Sequence, residues 1–554
     1  MKHPFVLLLT ATVLSTSLLG CSMGSKPVDV NEQAENVNKD LERLYGGQEK
    51  LKSEIGLYDA MARGIKYNIE KRDAVMNEMV AKGDIDLKAL NLLPNVTAGV
   101  YANGRNDEQY ISGRSKATGA QSLEPTQFED QYTRTANLAL SWNTLDAGIG
   151  FINTKGASDK ARAVTERRRK VVQNIAQDIR EAYWRAASAQ LLDDHMNSMM
   201  ADSKKLAKQL EDAENKKSSH DVEHLLKLQK RIYDTMQDLM AERDRLATAH
   251  AELAGLMGLP PSAKFRLADN ESSMMSKDSI PSLKSNVKDL EVLALMIRPE
   301  MREHTLLKRV ATRDIHKTVL ETFPGVGGIL AYNYDDNSFL DDESWMNASV
   351  GLTQNVMKIF SFPQRYSQSK NLDASADMKR MAMTAAVLTQ TNIAYTRYQL
   401  AQDRYDLLKS MAGVNRRIED YAQTRRENAK DKNIVQDGEL LAARMDSLLT
   451  RTRLQLAYAE GQNSFGRIVN SLGLDPLPPH VEDQSTEQLA KTIEKRFENM
   501  DGDTITSLLE KIREKTNLLD GNTGVASSLN NPSVAPQNVS AIVPKKKMSD
   551  NKEI

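Results

Sequence analysis

Hydrophobic positions along this chain follow two periods. From Ala157 to Ala254 there are 98 residues without glycine or proline, and within them Leu225, Ile232, Leu239, Leu246 and Leu253 recur every seven. Upstream, Val164, Val171, Ile175, Ile179, Ala182 and Ala186 step by seven, four, four, three and four. Such spacing predicts long helices, each with a narrow apolar stripe. The polar stretch from Glu211 to His220 between them predicts a chain reversal. A second run, Gln364 to Asp475, has 112 residues without proline and predicts a second hairpin. Arms of about 50 residues would run about 75 Å.

The other period is two. Ala136, Leu138, Leu140 and Trp142 alternate with Thr135, Asn137, Ala139 and Ser141. Further along, Ala348, Val350 and Leu352 alternate with Ser349, Gly351, Thr353 and Asn355. Both stretches predict strands with one apolar and one polar face. Strands of a membrane barrel have this pattern, and so do strands of a half-buried soluble sheet.

The two kinds of element repeat together. Leu93-Pro-Asn-Val-Thr-Ala-Gly-Val-Tyr-Ala-Asn103 returns as Phe323-Pro-Gly-Val-Gly-Gly-Ile-Leu-Ala-Tyr-Asn333, at an offset of 230. Leu140-Ser-Trp-Asn143 returns as Leu352-Thr-Gln-Asn355, and Ala182-Tyr183 as Ala394-Tyr395, both at 212. Asp221 matches Asp437, and Gly258-Leu259 matches Gly473-Leu474, at 216 and 215. The chain therefore reads as a duplicated unit of helix, strand, loop, strand, long helix, turn and long helix. One chain offers four strands. A closed barrel needs about eight, and open sheet edges are not tolerated in lipid. A membrane barrel built from this chain must be shared between copies.

Composition narrows the function. Aromatic residues are 5% of the chain, Lys+Arg number 74 against 75 Asp+Glu, and there is one cysteine. The balanced charge argues against a general nucleic-acid binder. A single cysteine excludes an internal disulfide and multi-cysteine metal sites. That cysteine, Cys21, follows Lys2, an apolar stretch from Phe5 to Leu19 and Gly20. The pattern resembles a bacterial lipoprotein signal, which implies lipidation of Cys21. By the same resemblance, Ser22 in place of an aspartate implies the outer membrane. No later stretch has 18 consecutive apolar residues, so no membrane-spanning helix is expected.

At this level of detail the chain resembles the TolC-like outer-membrane efflux proteins, in particular their lipidated bacterial members. The resemblance covers roughly Leu57 to Pro478. It rests on Leu57-Tyr-Asp-Ala-Met-Ala-Arg-Gly-Ile-Lys-Tyr-Asn68, Arg298-Pro299-Glu300 and the Leu93-Pro94 and Phe323-Pro324 strand starts. It also rests on Trp142-Asn-Thr-Leu-Asp146-Ala-Gly148 and the helix ends Leu256-Met-Gly-Leu-Pro260 and Ser471-Leu-Gly-Leu-Asp475. The resemblance implies a mainly α protein with a small membrane β part, four strands per chain joining a homotrimeric twelve-strand β-barrel continued by a helical periplasmic tunnel. It implies a passive conduit with no catalytic residues and no cofactor. Its partners would be a periplasmic adaptor, an inner-membrane transporter and outer-membrane lipid, with no nucleic acid. The exit duct of a one-step (type I) protein secretion system has the same architecture. A lipid-tethered periplasmic coiled-coil scaffold is the alternative without a pore.

The expected organisation is a signal peptide over 1–20, a lipidated linker over 21–50 and a first repeat over 51–260. That repeat holds strands near 93–104 and 132–143 and a hairpin over 150–257. A linker over 261–285 leads to a second repeat over 286–479, with strands near 323–334 and 345–356 and a hairpin over 364–473. Residues 480–554 read as a polar extension, partly helical and then disordered, and as a solvated tail. Arg425, Arg426, Glu427 and Asp431 crowd the second turn and are candidate gate charges acting across chains. His220, Asp221, Asp437 and Gly438 mark the candidate periplasmic tip, where the resemblance places adaptor docking. The family's glycine before the matched Asp is missing at the first turn, and Lys358-Ile-Phe-Ser-Phe-Pro363 replaces the Asp-x-Gly turn of the second copy. His220-Asp-Val-Glu223-His224 also fits an inverted zinc-peptidase pattern, though no third ligand follows from spacing. Trp142 and Trp345 are candidate membrane-interface anchors.

Overall fold

The structure is a computed structural model that describes residues 27–215, 222–268, 280–283, 285–428, 434–475, 484–498 and 505–511. It begins with helix α1 (Val30–Tyr45) and a two-residue strand β1 (Glu54–Ile55). The first repeat continues through α2 (Leu57–Tyr67), α3 (Ile69–Leu90), strand β2 (Asn95–Gly104), a small hairpin β3 (Gln109–Ile111) and β4 (Thr126–Glu129), then β5 (Tyr132–Asn143). Its long arms are α4 (Thr144–Asn215), then α5 (Val222–Leu246) and α6 (Ala249–Leu256) in line. After β6 (Arg266–Leu267), which pairs in parallel with β1, the second repeat runs α7 (Val287–Ile297), α8 (Pro299–Leu320), β7 (Gly325–Asp335) and β8 (Ser344–Thr353). A short α9 (Val356–Phe360) leads to α10 (Phe362–Glu427), α11 (Ile434–Ser471) and finally α12 (Thr486–Glu498).

The duplication holds element by element. Helices α2 and α7 each have 11 residues, and α3 and α8 each have 22. Asn68 separates α2 from α3, its side chain accepting a hydrogen bond from the Glu70 N–H. Arg298 and Pro299 make the same joint in the second copy, with proline at the helix start where its missing N–H costs nothing. The two hairpins end alike. Gly258 and Gly473 take left-handed φ values of 72° and 73°, and the N–H of the leucine after each reaches back to close the helix end. A Cβ on Gly258 would lie 2.9 Å from the Tyr67 Cβ, and one on Gly473 2.7 Å from the Arg298 Cα. Each hairpin end thus seats on the joint of its own repeat.

At 72 and 66 residues, α4 and α10 are longer than the expected arms. They span about 108 and 99 Å. The excess arises at the sheet, because both arms start almost directly from a strand. Asn143 caps the first, its Oδ1 accepting from the Leu145 N–H at 2.8 Å. In the second copy Asn355 caps α9 instead, and Pro363 sits in the first turn of α10. The departure Lys358–Pro363 is therefore a helical step in place of a turn.

The predicted stripe is buried. Leu225, Ile232, Leu239, Leu246 and Leu253 all lie in the core, and the tip packs α4, α5 and α11 around Met196, Leu210, Ile232, Leu239 and Met445. The expectation of a solvated tail is corrected for 486–498 and 505–511. Leu489, Ala490 and Ile493 of α12 are buried on the first repeat, with Phe497 stacked on Tyr58 and lying 4.5 Å beneath the Arg180 guanidinium. Ile505 and Leu509 are buried against α7, α10 and α11 of the second repeat. The polar residues between these few apolar ones masked the pattern.

Glu49 holds the start of α12. Its carboxylate takes Lys66 Nζ at 2.6 Å on one oxygen and the Thr486 N–H at 3.1 Å, with the Thr486 hydroxyl, on the other. The Lys66 ammonium first, and then Thr486, lower its pKa from 4.5 to about 2. A depressed carboxylate stabilises above its unfolded pKa and loses that contribution as pH falls through its folded one. The docking of α12 will therefore weaken between pH 4.5 and about 2. Pepsin cleavage within 486–498 will accelerate over that window in the native chain, while Glu49→Gln will be cleaved readily at its upper end.

Candidate functional site: the sheet faces and the helical tip

The four long strands form one antiparallel sheet in the order β2-β5-β7-β8. Its register sorts every side chain to one of two faces. Across one face run Val96, Leu140 and Leu330 in one row, and Ala98, Leu138, Tyr332 and Met346 in the next. Val326 pairs with Leu352, and Gly328 with Val350. In the single chain this face is bare: Val100 is 83% exposed, Val350 82% and Leu352 70%. An apolar surface of this extent needs a cover other than water.

The opposite face carries Thr97, Gly99, Tyr101 and Asn103, then Thr135, Asn137 and Ser141, then Ala331 and Asn333, and finally Asn347, Ser349 and Thr353. Asn333 Nδ2 donates to Asn347 Oδ1 at 2.8 Å across it. The four strands hold two charged residues, Arg134 and Asp335, both at the loop end. There Asp130 accepts from the Ser338 N–H and hydroxyl at 2.6 and 3.0 Å, and Asn337 bonds to Asp130 N and Phe128 O. This clasps the two outer loops together. At the other end, an open groove of ≈ 760 Å³ between sheet and helices is lined by Asn95, Trp142, Asn143, Gly327, Gly328 and Ser349.

The tryptophans divide between the faces. Trp142 is on the apolar face, its Nε1 donating to Leu92 O at 3.3 Å. Trp345 pairs with Asn333 and so shares the polar face. Its parity opposes that of Ala348, Val350 and Leu352.

At the far end of the helices, Arg425 Nη1 meets Glu439 Oε2 at 2.9 Å and Arg426 Nε meets Asp437 Oδ1. Glu439 also faces His224 Nε2 at 3.4 Å, tying α5 to α11. Within one chain the two arginines thus brace α10 to α11. Glu427 accepts from Gln423 on its own helix at 2.9 Å. At Gly438 α11 approaches α5 closely, since a Cβ there would lie 2.4 Å from Leu228 Cδ2. Cys21, His220, Asp221 and Asp431 lie outside the described residues. Among the described residues no group of three or more metal-binding side chains occurs, and His224 faces a carboxylate. No helix among them is long and apolar enough to cross a membrane.

Sequence spacing missed a second apolar stripe. Ile393, Leu400, Leu407, Val414 and Tyr421 recur every seven along α10, and all are exposed, Leu400 and Leu407 at 62% each. On α5, Leu226, Tyr233 and Met240 make a shorter exposed stripe with the same spacing. On α3, Ile69, Met76, Val80 and Leu87 are exposed at 60 to 73%.

No family model and no curated protein sequence matches the chain. Its fold matches solved outer-membrane channels. The outer-membrane channel OprN is 18% identical, with a TM-score of 0.55 over 75% of this chain and 89% of that one. The open Neisseria gonorrhoeae MtrE channel is 13% identical, with a TM-score of 0.57 over 77% and 94%. The Campylobacter jejuni CmeC channel is 11% identical, with a TM-score of 0.55 over 82% and 95%. This chain has the fold of these channels.

Proposed function

We propose that the chain is one subunit of a TolC-like outer-membrane efflux channel, a homotrimer that passively conducts substrate to the exterior. One observation carries the reading: three contacts between the two repeats each have a symmetric counterpart that is vacant. In the sheet, β5 of the first repeat pairs with β7 of the second, and the equivalent edges β8 and β2 are unpaired. In the outer helices, α8 packs against both α4 and α10, whereas its equivalent α3 packs on α4 and leaves its stripe bare. In the long arms, α11 packs on α4, and the equivalent faces of α5 and α10 carry the exposed stripes.

A second copy fills all three vacancies with one operation. Its β2 continues the sheet from β8, its α3 receives α10, and its α5 receives the α10 stripe. Such a heterologous contact closes into a ring when the rotation permits. Three copies give twelve strands, with the apolar face toward lipid and the amide- and hydroxyl-rich face lining the pore. The bare apolar face speaks against a soluble scaffold. The helical tip, with Asp437 and Gly438 and, by the sequence reading, His220 and Asp221, is the end offered to a periplasmic adaptor and, through it, an inner-membrane transporter. Cys21 carries the lipid anchor.

The test is electrical. Purified protein added to a planar bilayer will produce discrete conductance steps. Asn333→Arg, on the pore face, will change the ion selectivity of those steps. Absence of any steps from protein shown to have inserted would refute the reading.

A further inference from the structure

The proposed ring leaves one element without a role. Helix α1 is amphipathic, with Val30, Ala34, Val37, Leu41 and Leu44 spaced by four and three along one face, and it has no buried residue. Its last turn is fixed. Gln48 Nε2 donates to Leu44 O and Gly258 O at 2.7 and 2.8 Å, and Arg72 Nη1 reaches Arg43 O at 3.4 Å. The apolar face ahead of that anchor is exposed: Val30 at 81% and Leu41 at 48%.

We infer that α1 is a strap that docks on α10 of the neighbouring copy of this chain, an inference that rests on the ring proposed above. Chain length sets its direction. From Cys21 to Val30 there are nine residues, which reach at most about 30 Å. Helix α3 places the Arg72 anchor about 30 Å from the sheet, and α1 itself is about 24 Å long. Only a helix running back toward the sheet lets Cys21 reach the membrane.

Charge selects the surface. The polar side of α1 carries Glu32, Glu35, Asp40 and Glu42 against Lys39 and Arg43. A helix lying on lipid headgroups is ordinarily rich in Lys and Arg on that side, so α1 is unsuited to an anionic membrane surface. The stretch of α10 near the sheet carries Arg365, Lys370, Lys379 and Arg380 against Asp373 and Asp377. Asp373 is already held by Lys308, Asp377 by Arg380 and Arg365 by Glu321, so Lys370 and Lys379 are the cations that meet the acidic side of α1. The same stretch exposes Leu372, Met378 and Met381.

The repeat sets the level. Within the chain Arg167 of α4 meets Glu303 of α8, and their equivalents on α10 and α3 are Lys379 and Asp73, the latter beside the Arg72 anchor. In the ring, Lys379 of the neighbour therefore lies level with Arg43. Val37, six residues or about 9 Å nearer the sheet, then lies level with Leu372 and Asp373.

Cysteine pairs test the docking. The full-length protein with Val37→Cys plus Leu372→Cys, Met378→Cys or Met381→Cys is oxidised as the detergent-extracted assembly. The expected result is covalent dimers and trimers on a denaturing gel from at least one pair, absent from every single-cysteine variant. A trimeric native mass with no covalent oligomer from any pair would overturn the strap and leave the ring standing. A monomeric native mass would remove the ring, and the strap with it. Quenching of a bimane label on Val37 by nitroxide lipids in anionic vesicles would place α1 on lipid and overturn the strap alone.

Discussion

Leu400→Asp combined with Leu407→Asp will abolish assembly and leave the single chain folded. Both leucines are 62% exposed on the isolated chain, so the substitutions cost little there. In the ring they face α5 of the next copy, where Leu226 and Met240 supply no partner for a carboxylate. An unpaired charge buried at such a contact costs on the order of 3 kcal/mol or more. The cost is met at every interface of the ring, so the native mass in detergent will fall to that of one chain while the helical circular dichroism stays unchanged. The same change at fully buried Leu239 acts differently, because that side chain packs inside one chain's tip and its loss disrupts the tip itself. An intact oligomer in the Leu400/Leu407 double variant would mean that the α10 stripe faces something other than a second copy.

Val350→Arg will block membrane insertion, whereas its neighbour Ser349→Arg will not. Val350 pairs with Gly328 on the apolar face of the edge strand β8, and Ser349 pairs with Ile329 on the other. An arginine on the lipid face of a barrel costs about 2–4 kcal/mol at the bilayer midplane. A lumen-facing arginine keeps its water and alters conductance only. The readout is the fraction of protein recovered in the outer membrane, with single-channel selectivity for the Ser349 variant. Equal recovery of the two variants would refute the assignment of the faces.

How much of this was legible in the sequence depended on whether a pattern carried its own partner. Period and duplication located the strands and arms, because Ala136–Trp142 and Leu225–Leu253 are long and regular. Period cannot say what covers a stripe. Leu225, Ile232 and Leu239 are buried within the chain, while Ile393, Leu400 and Leu407 have the same spacing and are bare. That difference lies in the packing of α11 on α4, which no local pattern records. Docking of the C-terminal helix was missed because Leu489, Ile493 and Phe497 make one apolar residue per turn among charges, a signal visible once helicity is granted. Parity would have placed Trp345 correctly, since it is odd to Val350 and Leu352. The partners of the candidate gate charges were hidden for another reason. Proximity in sequence brought Arg425 and Arg426 to the turn, but their partners Glu439 and Asp437 wait on the next helix of the same chain.

The most direct test of the account is the native mass of the detergent-extracted protein. The account predicts three chains per particle, because the edges β2 and β8 and the stripes on α3, α5 and α10 are all satisfied by the same ring. A single chain that stays soluble without detergent once Cys21 is replaced would contradict it, and would leave a lipid-tethered helical scaffold in place of a channel.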